Sequence, residues 1–170
     1  MAPENHLRVR PLTTYALLGA LLFVLKMALA PVPNVEPVSL LVIAYTRVFG
    51  RKALWPVYAY VFLECLVWGI GLWSVSYLYV WGLLCLLSRL FKGMTSVLGW
   101  AVLSGAFGLC FGLLCAPVYF VTGGWAFAVS WWISGIPYDL LHGAGNFLAA
   151  LVLLGPCCKI LERLSRTPLD

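Results

Sequence analysis

The chain has 170 residues, of which 63% are hydrophobic and only 10% are charged. Soluble domains are about 45–50% apolar and about 25% charged, so this composition excludes an ordinary soluble protein and indicates an integral membrane protein. The net charge of +5 does not indicate nucleic-acid binding, because the basic residues lie at the ends of apolar segments. A spanning helix needs about 20 residues, so a single membrane domain fills residues 1–170.

Six apolar segments follow one another, and each is predicted to be a helix. The first begins like a signal peptide, but Lys26 interrupts its apolar run and Pro31 argues against cleavage. A proline-rich connector precedes the short second segment. Ser74 to Ser76 is predicted to be a turn. Residues 122–134 are predicted to form an interfacial lid or short helix. The predicted helices cover residues 13–30, 36–49, 54–73, 77–90, 96–121 and 136–155.

The distribution of basic residues predicts the topology. With the N-terminus in the cytoplasm, six spans place every Lys and Arg on the cytoplasmic side except Lys26, as the positive-inside rule requires. The prediction is therefore an all-α, polytopic membrane protein with six transmembrane helices and both termini in the cytoplasm.

Small residues recur every three or four positions along the predicted fifth helix. They form a ridge that allows another helix to approach closely. The ridge consists of Ala101, Gly105, Gly108, Gly112 and Ala116.

Three polar residues share one face of the predicted sixth helix. Asp139, His142 and Asn146 stand at positions i, i+3 and i+7, which fall on one stripe over two helical turns. Such groups are costly to desolvate in lipid, so they are expected to face protein or water. We therefore expect the stripe to line a ligand pocket.

The topology gathers further polar and aromatic residues in the outer half of the membrane, where rings can stack on a ligand and charges can orient it. Alternatives remain open: the tryptophans form an interfacial belt, Glu64 forms a structural pair with Lys26 or His142, and Asp139 with His142 locks helices together. The predicted substrate-binding residues are Lys26, Asn34, Glu36, Glu64, Trp68, Tyr77, Trp81, Trp132, Asp139, His142 and Asn146.

Two other functions compete with ligand capture. Asp139 and His142 could serve as acid and base in an intramembrane enzyme, although no serine nucleophile motif or metal-ligand cluster accompanies them. Alternatively, the protein is an assembly subunit without a ligand, which docks a partner through the glycine ridge. The six cysteines form no CxxC pair, and we expect neither a metal nor a cofactor.

Three motifs carry a resemblance to a known family. They are ALLGA at residues 16–20, PNVEP at 33–37 and GIPYDLLHG at 135–143. With the predicted six helices, this pattern resembles the S components of energy-coupling factor (ECF) vitamin transporters, and the riboflavin-type members are the most similar. Residues Glu64, His142 and Asn146 beside tryptophans are also similar in type to those of thiamine-binding members.

The resemblance implies a substrate-capture subunit rather than an enzyme, in the plasma membrane of a prokaryote. It implies a vitamin or vitamin precursor as ligand and three protein partners: a transmembrane coupling subunit and two ATPases. The small residues Ala16, Gly19 and Ala20 would contact the coupling subunit. The chain itself has no GxxxxGK[ST] loop, so energy would come from those partners. Three carboxylates against one lysine favour a neutral or cationic ligand.

Overall fold

The computed structural model describes residues 9–31 and 36–166, and every regular element in those two ranges is a helix. The all-α class is therefore confirmed. A 3₁₀ turn, Gly50–Ala53, connects the second and third helices. The helices are α1 (Val9–Leu29), α2 (Val38–Phe49), α3 (Leu54–Trp68), α4 (Leu72–Leu90), α5 (Val97–Leu109) and α6 (Phe111–Arg166).

Three helical stretches are long and apolar enough to cross a membrane. They are Pro11–Leu29, Leu72–Leu90 and Val97–Ser165. Large apolar side chains also cover the outside of the bundle, as Phe62, Leu66 and Val121 illustrate. An apolar surface of this extent is stable against lipid and not against water. The structure thus agrees with a membrane protein.

The turn between α3 and α4 lies earlier than predicted. Helix α3 ends at Trp68 rather than at residue 73, and α4 begins at Leu72 rather than at residue 77. Gly69 has a φ of 78°, which glycine adopts without strain, and it ends α3. Ser74 lies inside α4, where its hydroxyl accepts the N–H of Gly71 and donates to the same residue's carbonyl. The predicted turn at 74–76 was wrong because this serine closes the first turn of the helix instead.

Helices α5 and α6 form a long hairpin that replaces the predicted lid. The helical dihedral angles of α6 are interrupted only at Gly124, which has a φ of 76° and a ψ of −176°. Residues 97–123 form one arm and residues 125–166 the other, and the Tyr119 and Trp131 rings stack across the turn at 3.9 Å. The predicted interfacial segment at 122–134 is therefore part of the hairpin. The predicted start of the last helix at 136 was wrong, because Pro137 lies inside the second arm.

The glycine ridge allows another helix to approach closely, as predicted, and that helix belongs to the same chain. A Cβ on Gly105 would lie 3.0 Å from the Cβ of Phe147, and a Cβ on Gly108 would lie 2.8 Å from the His142 carbonyl oxygen. The two arms approach so closely only because these residues lack side chains. The ridge is therefore occupied by the second arm of the hairpin.

Helix α2 lies at the centre of the bundle. All nine residues from Val38 to Thr46 are buried, and α2 contacts α1, α4, α5 and α6. With 12 residues it is about 18 Å long, much shorter than the roughly 30 Å hydrocarbon core. It is thus a buried central helix that the other helices enclose.

The ends of several helices meet at a basic end of the bundle. Tyr15 near the start of α1 contacts Phe49 at the end of α2, with ring centroids 5.8 Å apart. Lys52 and Ser165 line one groove beside them, so the end of α6 lies there too. The Arg47 guanidinium lies 4.7 Å from the Trp100 ring at the start of α5. The turns at Gly69 and Gly124 belong to the opposite end.

Candidate ligand-binding site

Five aromatic side chains from α3, α4, α5 and α6 meet inside the bundle. The Tyr77 ring lies 5.4 Å from the Trp81 ring, and Trp81 lies 5.5 Å from Phe111. The Tyr60 and Tyr77 rings stack at 6.4 Å. Spacings of four residues within one helix bring such rings onto the same face. We call Tyr60, Tyr77, Trp81, Phe107 and Phe111 the aromatic cluster.

A partly buried ion pair borders the aromatic cluster. Lys26 Nζ on α1 lies 2.7 Å from Glu64 Oε2 on α3, and the side chains are 18% and 2% exposed, respectively. The same ammonium lies 5.4 Å from the centroid of the Tyr77 ring and 5.9 Å from that of Tyr60. These are distances at which an aromatic face attracts a cation. Pairing with Lys26 was one of the two structural alternatives for Glu64, and the structure contains that pair.

Glu36, which precedes α2, adds a second carboxylate to this region. Burial raises the pKa of its carboxyl above the ordinary value of 4.5, the charge of Lys26 lowers it, and the charge of Glu64 raises it. The charges of Lys26 and Glu64 both act on Glu36, which places this carboxyl group in the same region as the ion pair.

The polar stripe of the second hairpin arm faces the protein interior, as predicted. Asp139 is 8% exposed, His142 4% and Asn146 fully buried. The Asp139 carboxylate accepts the backbone N–H of Gly112 at 3.0 and 3.2 Å, where α6 begins. A carboxylate at a helix start satisfies an N–H that has no partner within the helix. Asp139 therefore stabilises the hairpin.

The other two residues of the stripe point towards the helices around them. The Asn146 Nδ2 group donates a 2.9 Å hydrogen bond to Ser39 Oγ on the central helix. The His142 ring meets the Phe111 ring edge to face at 4.9 Å, which places it against the aromatic cluster. Asp139 and His142 thus have different partners, a backbone N–H and an aromatic ring.

Five buried polar atoms in this region have no hydrogen-bond partner within the part of the chain that the structure describes. They are Tyr60 Oη, Glu64 Oε1, Trp81 Nε1, His142 Nε2 and Asn146 Oδ1. Burying a polar group without a partner costs about 1–3 kcal/mol, so five such atoms in one region are a substantial penalty. The arrangement offers both hydrogen-bond donors and acceptors to a polar molecule that would enter between them.

Comparison with protein-family models, curated proteins and solved structures found no match. Among residues 9–31 and 36–166, no three His, Cys, Asp or Glu side chains are grouped so that they could hold a metal ion.

The structure brings most of the predicted site residues together. Two lie elsewhere: Trp68 is 58% exposed at the end of α3, and Trp132 lines an apolar groove between the arms of the hairpin. Asn34 lies outside the described residues. The residues that lie at or beside the aromatic cluster are Lys26, Glu36, Glu64, Tyr77, Trp81, Asp139, His142 and Asn146.

Three members of the aromatic cluster were not predicted from the sequence. Tyr60 stands four residues before Glu64, so a helical wheel of α3 would have placed it beside the carboxylate. Phe107 and Phe111 are likewise four residues apart, but they belong to two different helices with a break at Cys110. The prediction for this segment was a ridge of small residues, and it did not include the two phenylalanines that lie between them.

The predicted partner-binding surface on α1 is smaller than expected. Ala16 is exposed and Ala20 is half-buried. Gly19, in contrast, is buried, and a Cβ there would lie 2.7 Å from the Cβ of Ala59 and 2.8 Å from the Pro56 carbonyl oxygen. Gly19 therefore serves the contact between α1 and α3 and is not available to another protein.

Proposed function

We propose that this protein is the substrate-capture subunit of an ECF-type importer in a prokaryotic plasma membrane. It binds a small vitamin or vitamin precursor at the aromatic cluster and delivers it through partner subunits. One observation carries the proposal: several buried polar atoms at or near the aromatic cluster have no protein partner among the described residues. They are Tyr60 Oη, Glu64 Oε1, Trp81 Nε1, His142 Nε2 and Asn146 Oδ1. Ligand sites combine an apolar lining with a few polar groups in this way.

The chemistry of the site suits a small ring compound with polar edges. Aromatic side chains favour offset or edge-to-face contact with a planar ring. The unpartnered Trp81 indole N–H is a hydrogen-bond donor, whereas the unpartnered oxygens of Glu64 and Asn146 are acceptors. A ligand with donors and an acceptor on its rim would satisfy groups that otherwise destabilise the folded protein.

The charge distribution supports an outward-facing site. By the positive-inside rule, the basic end, which includes Arg47 and Lys52, is the cytoplasmic end. The Lys26–Glu64 pair lies towards the other ends of α1 and α3, which are then extracellular. In the proposed topology, α1 to α4 and the two hairpin arms provide six membrane helices, with α2 enclosed by the others.

Transport requires energy from other proteins, because the chain has no phosphate-binding loop. In the proposed complex, a transmembrane coupling subunit contacts the exposed face of α1 at Ala16 and Ala20, and two ATPases drive the cycle. The apolar outer surface of the bundle is otherwise in contact with lipid.

A titration of the purified protein in detergent tests the proposal. The intrinsic fluorescence of the eight tryptophans would be followed against thiamine, its pyrimidine precursor, riboflavin, biotin, folate and pantothenate. We expect one compound to give a saturable change that His142→Gln weakens at least tenfold. This substitution removes the imidazole at the cluster and keeps a polar side chain at the same position.

Ser88→Ala is the matched control, because Ser88 is also a buried polar residue. Its hydroxyl donates to the Leu84 carbonyl oxygen at the end of α4 where the basic residues lie, away from the cluster. The control is expected to bind as the wild type does. If folded, ligand-free protein responds to none of the compounds, or if Ser88→Ala and His142→Gln weaken binding equally, ligand capture at this site is wrong.

A further inference from the structure

The Lys26 ammonium lies in surroundings that would bind a free cation. Glu64 Oε2 contacts it at 2.7 Å, and the Tyr77 and Tyr60 rings lie 5.4 and 5.9 Å from it. One carboxylate and two aromatic faces around an ammonium group are the elements with which proteins recognise amine and quaternary ammonium ligands. Here, the cation is supplied by the chain itself on a flexible four-carbon stem.

The same surroundings leave part of the Glu64 carboxylate without a partner. Glu64 contacts Lys26 directly, and the charges of both residues act on the nearby Glu36, whose pKa is raised by burial. Glu64 is 2% exposed, and its Oε1 atom has no hydrogen-bond partner among the described residues. A buried carboxylate with an unpaired oxygen is stabilised by a further cation or by a stronger donor.

The Lys26 side chain is more exposed than that of Glu64 and lies nearer to the end of its helix. Its side chain is 18% exposed, and it stands in the last turn of α1, next to the connector that leads to α2. A lysine at a helix end can extend its ammonium to the headgroup region while its stem stays along apolar surface. Lys26 can therefore leave Glu64 without unfolding α1, whereas the Glu64 carboxylate stays buried.

We propose that Lys26 is a tethered competitor, and that the ligand carries a cationic nitrogen which takes the place of the Lys26 ammonium between Glu64 and the rings of Tyr60 and Tyr77. The inference rests on the proposed ligand-binding function and specifies its substrate class. The ligand is an amine, an amidine-like heterocycle or a quaternary nitrogen attached to a small ring. A carboxylate-bearing ligand is excluded, because the buried Glu64 carboxylate would repel it.

Two isosteric substitutions distinguish this exchange from direct binding of an anion by Lys26. Lys26→Met removes the competitor and keeps the length of the stem, so the affinity for a cationic ligand should rise about tenfold, which corresponds to one charge-assisted hydrogen bond. Glu64→Gln removes the charge that attracts the cation, so the affinity should fall at least tenfold. For an anionic ligand both effects would have the opposite sign.

The experiment uses probes that share one ring and differ in charge: pyridoxamine, pyridoxine and 4-pyridoxic acid. Thiamine and biotin are added as a cationic and an anionic compound on other rings. Each is titrated against the full chain and both variants in detergent, by tryptophan fluorescence and by the shift in Tm at saturating ligand. The Tm without ligand shows whether each variant is folded, and Glu64→Gln keeps the test valid if Lys26→Met does not fold.

The result that supports the inference is binding of a cationic probe that Glu64→Gln weakens and Lys26→Met strengthens. Binding of 4-pyridoxic acid or biotin that Lys26→Met abolishes would overturn the inference and leave ligand capture intact. Binding of a cationic probe that neither substitution changes would also overturn it, since the cation would then lie elsewhere. If no probe and no vitamin in the wider titration binds, the proposed function itself fails.

Discussion

The close approach between the two hairpin arms makes Gly108 sensitive to the smallest possible substitution. A Cβ at this position would lie 2.8 Å from the His142 carbonyl oxygen, 2.9 Å from the Cα of Gly143 and 2.9 Å from Asn146 Nδ2. Two of these three atoms belong to the backbone, which cannot move without displacing the second arm. Gly108→Ala is therefore expected to push the arms apart at the candidate site.

The expected loss of stability is moderate and measurable. Overpacking a well-packed contact costs about 1–3 kcal/mol, whereas alanine gains about 1 kcal/mol over glycine inside a helix. Gly135→Ala separates the two effects, because Gly135 is also helical and a Cβ added there would meet no neighbouring atom within 4 Å. The difference between the two variants, about 2 kcal/mol, corresponds to about 4–8 °C in Tm for a chain of this size.

The assay is thermal unfolding of both variants in the same detergent, followed by the ligand titration. We expect Gly108→Ala to unfold below Gly135→Ala and to bind ligand more weakly, because Asn146 moves with the second arm. Equal melting temperatures for the two variants would refute the reasoning, since the arms would then separate without cost. A lower Tm with unchanged binding would show that the hairpin contact and the site are independent.

Three further predictions concern other parts of the molecule. Asp139→Ala leaves the Gly112 N–H without an acceptor and should lower the free energy of unfolding by about 1–3 kcal/mol; an unchanged Tm would contradict this. Ala16→Trp should abolish uptake in cells and spare ligand binding, whereas Leu21→Trp, about 140° around the same helix, should spare both. Burial raises the pKa of Glu36 above 4.5, so its contribution to stability is full below pH 4.5 and is lost as the pH rises through the raised value. The Tm of the wild type should therefore fall relative to that of Glu36→Gln as the pH rises from about 4 to about 8, and parallel curves would argue against it.

Regular spacing in the sequence was sufficient to predict one half of the candidate site. His142 and Asn146 were placed on one inward face by their separation alone, and both are buried. The glycine ridge was predicted to admit a helix at close range, and Gly105 and Gly108 do so. These predictions hold because they depend on the geometry of a single helix, which repeats every 3.6 residues.

The turn at Gly124 could not be located from the sequence in the same way. Residues 122–134 combine two glycines with three tryptophans, a composition typical of an interfacial loop. Only the conformation of Gly124, with its positive φ, shows that the chain reverses there and continues at once as a helix. Pro137 was a second misleading signal, because a proline at the first turn and a proline inside a helix look alike in sequence.

The partner of Glu64 could not be predicted from spacing along one helix, because Lys26, Glu64 and His142 belong to three different helices. The sequence left Lys26 and His142 as alternative partners of Glu64. The choice is decided by the close contact of α1 with α3, where Gly19 lies against Ala59 and Pro56. That contact brings the end of α1 beside Glu64, and it uses a glycine that the family resemblance had assigned to a partner protein.

The enclosed position of α2 has a consequence for how the protein enters the membrane. A helix of 12 residues is too short to be recognised and released into lipid alone, since stable insertion needs about 20 apolar residues. Its buried Ser39 and Thr46 would also face hydrocarbon at that stage. We therefore expect α2 to reach its position by packing against the other helices. The hydrogen bond between Asn146 and Ser39 can form only after α2 and the second hairpin arm have come together, so the candidate site is completed by that packing.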